Sequence, residues 1–230
     1  MSTAARHFHD SYDETLELRD GSKVRLRLVR PTDKALLLEG FKRMSSESRF
    51  LRFFGHKSGL TTRELTYLTE LDGERHFALG AAEVAADGTE TGVGIARFVR
   101  LPDEDAVAEP ALAVVDDWQG RGLGREMLIR LSAAARERGV ERFRCFVLAD
   151  NPAMLHVIRD LDPAALSGEE QGLVLVDLEL PQRPWDPEAR RRPRGRALHG
   201  FLAMAAEGLL RLRRAFAWLD TPDDQDDAER

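Results

Sequence analysis

The chain has a single cysteine, Cys145, so no internal disulfide can staple it and the fold must rest on an apolar core. No apolar run approaches the roughly 18 residues that a membrane span needs. The opening residues, MSTAARHFHDSYDE, lack the cationic start and apolar stretch of a secretory leader. A cytoplasmic address is the expectation. Lysine is scarce, with only Lys23, Lys34, Lys42 and Lys57, and arginine carries nearly all the positive charge. A net charge of −6 denies the molecule a general attraction to nucleic acid, so any cationic surface is local. His56, His76 and His156 lack the spacing of metal ligands, and no metal is expected. What is present, 43% hydrophobic and 32% charged residues over 230 positions, is the balance of one globular domain with appendages.

Residues 1–14 read as a flexible lead-in and 15–180 as the domain. TLELRDGSKVRLRLV alternates around Asp20-Gly21, the signature of a hairpin. Arg30-Pro31 ends that strand, and Thr32 or Asp33 caps a helix reaching about Met44; Thr61 or Thr62 caps another, TRELTYLTEL. Strands are expected over residues 76–85 and 91–100, and a further one, EPALAVV, starting at Glu109 after an acidic loop, PDEDAVAE. A periodic helix, REMLIRLSAAARERG, is closed by Gly139. A strand ERFRCFVLA, a helix after Asn151-Pro152, and a last strand GLVLVDLEL complete the order. The fold class is α/β (α+β): a mixed, mostly antiparallel sheet of about seven strands flanked by helices.

Gln119-Gly120-Arg121-Gly122-Leu123-Gly124 joins a strand to a helix. Its glycines let successive backbone N–H groups turn inward, and the helix start adds unsatisfied amides and dipole, so the loop is built for an anion, with Arg121 and Arg125 beside it. A Walker loop requires Gly-Lys-Ser/Thr, whereas Arg125-Glu126 follows Gly124. A dinucleotide fingerprint requires GxGxxG, and here the third glycine comes one residue early.

The loop matches Q/R-x-x-G-x-G/A at Gln119, Gly122 and Gly124, and with the element order and Asn151 it resembles the acyl-coenzyme-A loop of the GNAT superfamily of N-acetyltransferases, from about Val24 to Leu180. SSESRFLRFFG, LTTRELTYLTELDGERHFALGA and AVVDDWQGRGLGREML are similar to the acetyltransferase domain of bacterial protein-lysine acetyltransferases that modify acyl-coenzyme A synthetases. The resemblance implies acetyl-CoA as cosubstrate. It implies an amine acceptor, a protein lysine such as that of an acyl-CoA synthetase ahead of a small-molecule amine; a non-catalytic acyl-CoA-binding module is the alternative. Ala113, Val114, Val115, Gln119, Gly120, Arg121, Gly122, Leu123, Gly124, Arg125 and Asn151 are the implied coenzyme contacts. Glu109 is the implied catalytic base, and the backbone N–H of Val114 or Val115 the implied donor to the thioester oxygen. The tyrosine many relatives carry seven residues after the Asn is Ile158 here. Cys145, alternating with Phe143 and Val147, is expected to face the core.

Residues 181–197 form a Pro/Arg-rich linker, with Arg190 to Arg196 as a solvated cluster or a docking point for an acidic partner. Residues 198–219 have an amphipathic helical stripe (Leu198, Phe201, Leu202, Ala205, Leu209, Leu212, Phe216, Leu219) fit to pack on the domain or on a second copy as a homodimer. The acidic tail, 220–230, is expected to be disordered and to repel anionic lipid, against membrane attachment.

Overall fold

The computed structural model describes residues 6–46, 48, 58–148, 166–170, 173–181, 185 and 186. Asn151, Ile158, His56, His156, the arginine cluster, the C-terminal helix and the tail lie outside them.

The predicted hairpin forms between β1 (Asp13–Glu17) and β2 (Lys23–Leu28). A 3-10 turn over Pro31–Asp33 leads into α1 (Lys34–Arg43), and α2 (Thr62–Thr69) follows. Thr61 caps α2 reciprocally with Glu64: the Glu64 N–H donates to Thr61 Oγ1 at 3.2 Å, and the Thr61 N–H to Glu64 Oε2 at 2.7 Å. Then come β3 (His76–Val84), β4 (Glu90–Leu101), β5 (Glu104–Val114), α3 (Leu123–Glu137), β6 (Arg142–Leu148), β7 (Leu166–Glu170) and β8 (Leu173–Glu179). The sheet has eight strands in the order β1-β2-β3-β4-β5-β6-β8-β7, and only β5 and β6 run parallel. The strand beyond the expected seven is β7, LSGEE, a polar segment paired only to β8 along the sheet edge.

Three expectations are corrected. From Glu104 the acidic stretch is strand, not loop, because its carboxylates have cationic partners: Arg144 binds Glu104 and Asp177, and Arg75 binds Asp105 at 2.6 Å. Paired across strands, acidic side chains no longer repel one another out of a ladder. Glu109 therefore lies in mid-strand and not at a strand start. The lead-in, expected to be flexible through residue 14, is built into the domain from Phe8: Phe8 and Tyr12 are buried, and the N–H groups of His7 and Phe8 donate to the Glu137 carboxylate at 3.1 and 3.0 Å. Trp185, in the expected linker, packs on the Phe8 ring at 5.4 Å.

Helix α3 covers one face of the sheet and α1 with α2 the other. A Cβ on Gly94 would meet Met127 of α3, and one on Gly92 would meet Leu36 of α1. Phe77 and Phe98 stack in the core, 5.6 Å apart, and Phe143 closes on Phe98 at 6.3 Å. Arg97 and Ile95 take the α1/α2 face, and antiparallel register puts Ala111 opposite Arg97 and Glu109 opposite Val99 on that same face.

The register also explains a fork in the sheet. Val115 N–H donates to Val93 O of β4 at 3.1 Å, whereas on the other edge Glu141 N–H donates to Ala106 O at 2.7 Å. Within β5 the odd positions thus bond β4 and the even positions face β6. Pro110 is even and has no N–H to give. Pairing with β6 covers only Val107↔Arg142 and Ala108↔Phe143, after which β6 follows β8 through Leu148. From Pro110 to Val114 that edge of β5 has no paired strand among the described residues, and the two strands diverge into a cleft.

Candidate active site

Three elements meet at the open end of this fork: the end of β5, the glycine loop and the start of α3. Gly120 and Gly122 have φ of 73° and 90°, left-handed values that glycine adopts without a steric penalty, and a Cβ on either would stand in open space. Gly122 is the N-cap of α3 and no side chain caps the helix. The first intrahelical bond runs from Glu126 N–H to Gly122 O at 3.2 Å, so the amides of Leu123, Gly124 and Arg125 precede the ladder. Arg125 Nε is buried with no hydrogen-bond partner among the described residues. Donors collected around an uncapped helix start fit a pyrophosphate.

The predicted loop residues divide by role. Leu123 is a core side chain, 1% exposed, and has only its backbone to offer a ligand. The Arg121 guanidinium lies over the Trp118 ring at 4.7 Å and 3.4 Å from Asp20, and Arg125 pairs with Glu126 at 2.9 Å. Gln119 braces the loop from within: its Nε2 donates to Val114 O and to Asp116 Oδ1, each at 3.1 Å. Asp116 also accepts from the Ser45 N–H and the Ser48 hydroxyl, which ties the chain after α1 to the loop. This bracing aspartate has no motif of its own; its only trace in the sequence is the Asp116-Asp117 pair before Trp118. The two backbone donors expected on β5 are not equivalent. Val115 N–H is committed to Val93, and Val114 N–H lies on the open edge.

Glu109 is 2% exposed, inside the sheet at the closed end of the fork. It shares the α1/α2 face with Arg97, itself 1% exposed, whose guanidinium contacts His76 and covers the Tyr67 ring at 4.7 Å. Cys145 is fully buried as expected, and its thiol is pushed up by burial first and by the carboxylates of Glu109 and Asp177 second. Such a thiol is a poor nucleophile at neutral pH. No group of three or more His, Cys, Asp or Glu side chains among the described residues is arranged to hold a metal, and no described helix is long and apolar enough to cross a membrane.

The profile of the Acetyltransferase (GNAT) family matches residues 44–162, just over half of the chain and including this loop. The chain belongs to the GNAT acetyltransferase family. This GNAT enzyme is 35% identical over 176 residues to Acetyltransferase Pat of Mycolicibacterium smegmatis, a match covering 75% of the chain and 51% of Pat, so it spans about half the length of that relative. It is 30% identical over 145 residues to Acetyltransferase PA5475 of Pseudomonas aeruginosa, covering 63% of the chain and 76% of that protein. Among solved structures it is similar to the GNAT domain of S. lividans PAT, with 29% identity and a TM-score of 0.61 over 73% of this chain and 97% of that one.

His76 is expected to give this GNAT domain an acid sensitivity. Burial first and the Arg97 charge second push its pKa down to about 3, so the ring stays neutral and accepts from Arg97. The folded value lies below the unfolded value of about 6.5. The contribution is therefore complete above about pH 6.5 and lost as pH falls toward 3. Between pH 7.5 and 5, above the ordinary carboxylate range, urea denaturation is expected to show a loss on the order of 1–2 kcal/mol. In His76→Gln that pH-dependent part disappears; an unchanged pH dependence refutes the assignment.

Proposed function

We propose that this GNAT enzyme transfers an acetyl group from acetyl-CoA directly to an amine, a protein lysine in preference to a small molecule. The observation that carries this reading is the open edge of β5, with a buried carboxylate at one end and an uncapped, glycine-lined helix start at the other. Acetyl-CoA supplies an activated thioester when bound. The amides of Leu123, Gly124 and Arg125 and the loop around Gly120 and Gly122 hold its pyrophosphate, with Arg121 and Arg125 adding positive charge.

A lysine amine has a reference pKa of about 10.4 and reaches the site as ammonium, so a proton acceptor is required. Glu109 takes that proton, directly or through a water in the cleft. Val114 N–H donates to the thioester oxygen as negative charge gathers there, a preorganised backbone donor needing no reorganisation. The new bond joins the amine nitrogen to the acetyl carbon, the C–S bond breaks with its electron pair on sulfur, and the second nitrogen proton passes to the departing thiolate or to solvent, which leaves the neutral amide and coenzyme A. Ala113 and Val115 flank that donor, and Asn151 remains assigned to the pantetheine arm.

The lysine preference rests on the similarity to Pat and to the S. lividans PAT domain, and an acyl-CoA synthetase lysine is the first acceptor to try. Incubation with labelled acetyl-CoA and a cell lysate is expected to label discrete protein bands only in the presence of the enzyme, in an alkali-stable linkage. Label confined to small amines would replace the lysine reading.

A further inference from the structure

A cavity of about 100 Å³ lies between α1 and the sheet, on the face that carries Arg97 and Glu109. Its walls are almost wholly apolar, with Leu36, Phe41 and Met44 on the helical side and Ile95, Ala113 and Val115 on the sheet side. Its position is more informative than its size. Ala113 and Val115 are the chain neighbours of Val114, and Gly94, which also lines the cavity, is the cross-strand partner of Val114. The cavity therefore begins at the residue whose N–H is assigned to the thioester oxygen. On the opposite face of β5 the space is filled by the core under α3, where Met127 and Leu128 are buried.

We propose that this cavity receives the tail of acyl groups longer than acetyl, making the enzyme a transferase of short unbranched aliphatic acyl groups. The inference rests on the active-site reading above and extends it to the donor. An acyl carbonyl bonded to Val114 N–H has its α-carbon beside Ala113 and Val115, both of which line the cavity that extends toward α1. A cavity of about 150 Å³ lined by Leu, Ile and Phe holds a benzene ring, so one of about 100 Å³ takes a few methylenes. The lining argues against the acceptor as occupant. Arg27, Asp33 and Arg97 are the charged residues of its lining; Asp33 is already paired with Arg27 at 2.7 Å, and a lysine ammonium meets a net positive charge there. The transfer keeps its balance: the amine nitrogen bonds to the acyl carbon, the C–S bond breaks with its electron pair on sulfur, Glu109 takes the first amine proton, and the second passes to the departing thiolate or to solvent.

Calorimetric titration of the protein with CoA, acetyl-CoA, butyryl-CoA and succinyl-CoA needs no acceptor and tests this directly. Two further buried methylenes are expected to make butyryl-CoA bind roughly ten-fold more tightly than acetyl-CoA, with succinyl-CoA no tighter than acetyl-CoA. Ile95→Phe and, independently, Leu37→Phe fill the cavity from opposite walls. Each is expected to erase the butyryl advantage and leave acetyl-CoA affinity within about two-fold. Equal affinity for acetyl- and butyryl-CoA overturns the inference while CoA binding keeps the active-site reading. A butyryl advantage that survives in both folded variants overturns it as well. Preference for succinyl-CoA replaces it with an anion site at Arg97. Failure of CoA itself to bind removes the underlying active-site reading.

Discussion

Glu109→Gln is expected to bind coenzyme A like the parent protein and to lose acetyl transfer by roughly 10²–10⁴-fold. The substitution keeps the volume of a side chain that is only 2% exposed within β5, so strand register and core should survive. It removes the one property the reaction needs, a carboxylate able to take the proton of an incoming ammonium. Steady-state transfer to a lysine acceptor and calorimetry with coenzyme A, on the same preparations, separate the two effects. Equal transfer by both proteins would move the base elsewhere. A protein that binds the coenzyme and never transfers, with Glu109 intact, would point to a binding module.

Gly122→Glu should be the most damaging change for coenzyme affinity, a loss of about 100-fold or more. Two causes act together. The φ of 90° is strained for any L side chain by roughly 1–2 kcal/mol, and a carboxylate at the N-cap of α3 occupies the place and repels the charge of a phosphate. Gly122→Ala carries the first cause alone, so calorimetry should rank parent, alanine and glutamate in that order, with a wide gap before the last. Similar affinity for all three would mean that the anion binds away from this helix start.

Much of this layout was legible from residue order because it depends on local rules. Asp20-Gly21 marks the first hairpin, Thr61 caps α2, Gly139 closes α3, and three glycines between strand and helix mark the uncapped helix start proposed to hold the pyrophosphate; each works within a few residues of itself. The features that escaped depend on partners far away in sequence. The strand through Glu104 and Asp105 requires Arg144 and Arg75, so its acidic run looks like a loop in isolation. Phe8 is buried through α3, more than a hundred residues later. Val114 and Val115 are equivalent as letters, and only the bond from Val115 to Val93 tells them apart among the described residues. Asn151 and Ile158 lie outside the described residues, so the pantetheine contact and the missing tyrosine rest on the family resemblance.

Pro110 places the cleft under covalent control. Two parallel strands in register tend to zip along their whole length, since every added rung satisfies a donor and an acceptor. An imino acid as the first even residue beyond Ala108 removes a rung where the zipper would advance. The gap is thus written into the backbone and does not wait for a ligand to wedge it apart. The sheet forgoes hydrogen bonds it was otherwise aligned to make, a stability left unrealised at the edge where the proposed transfer takes place.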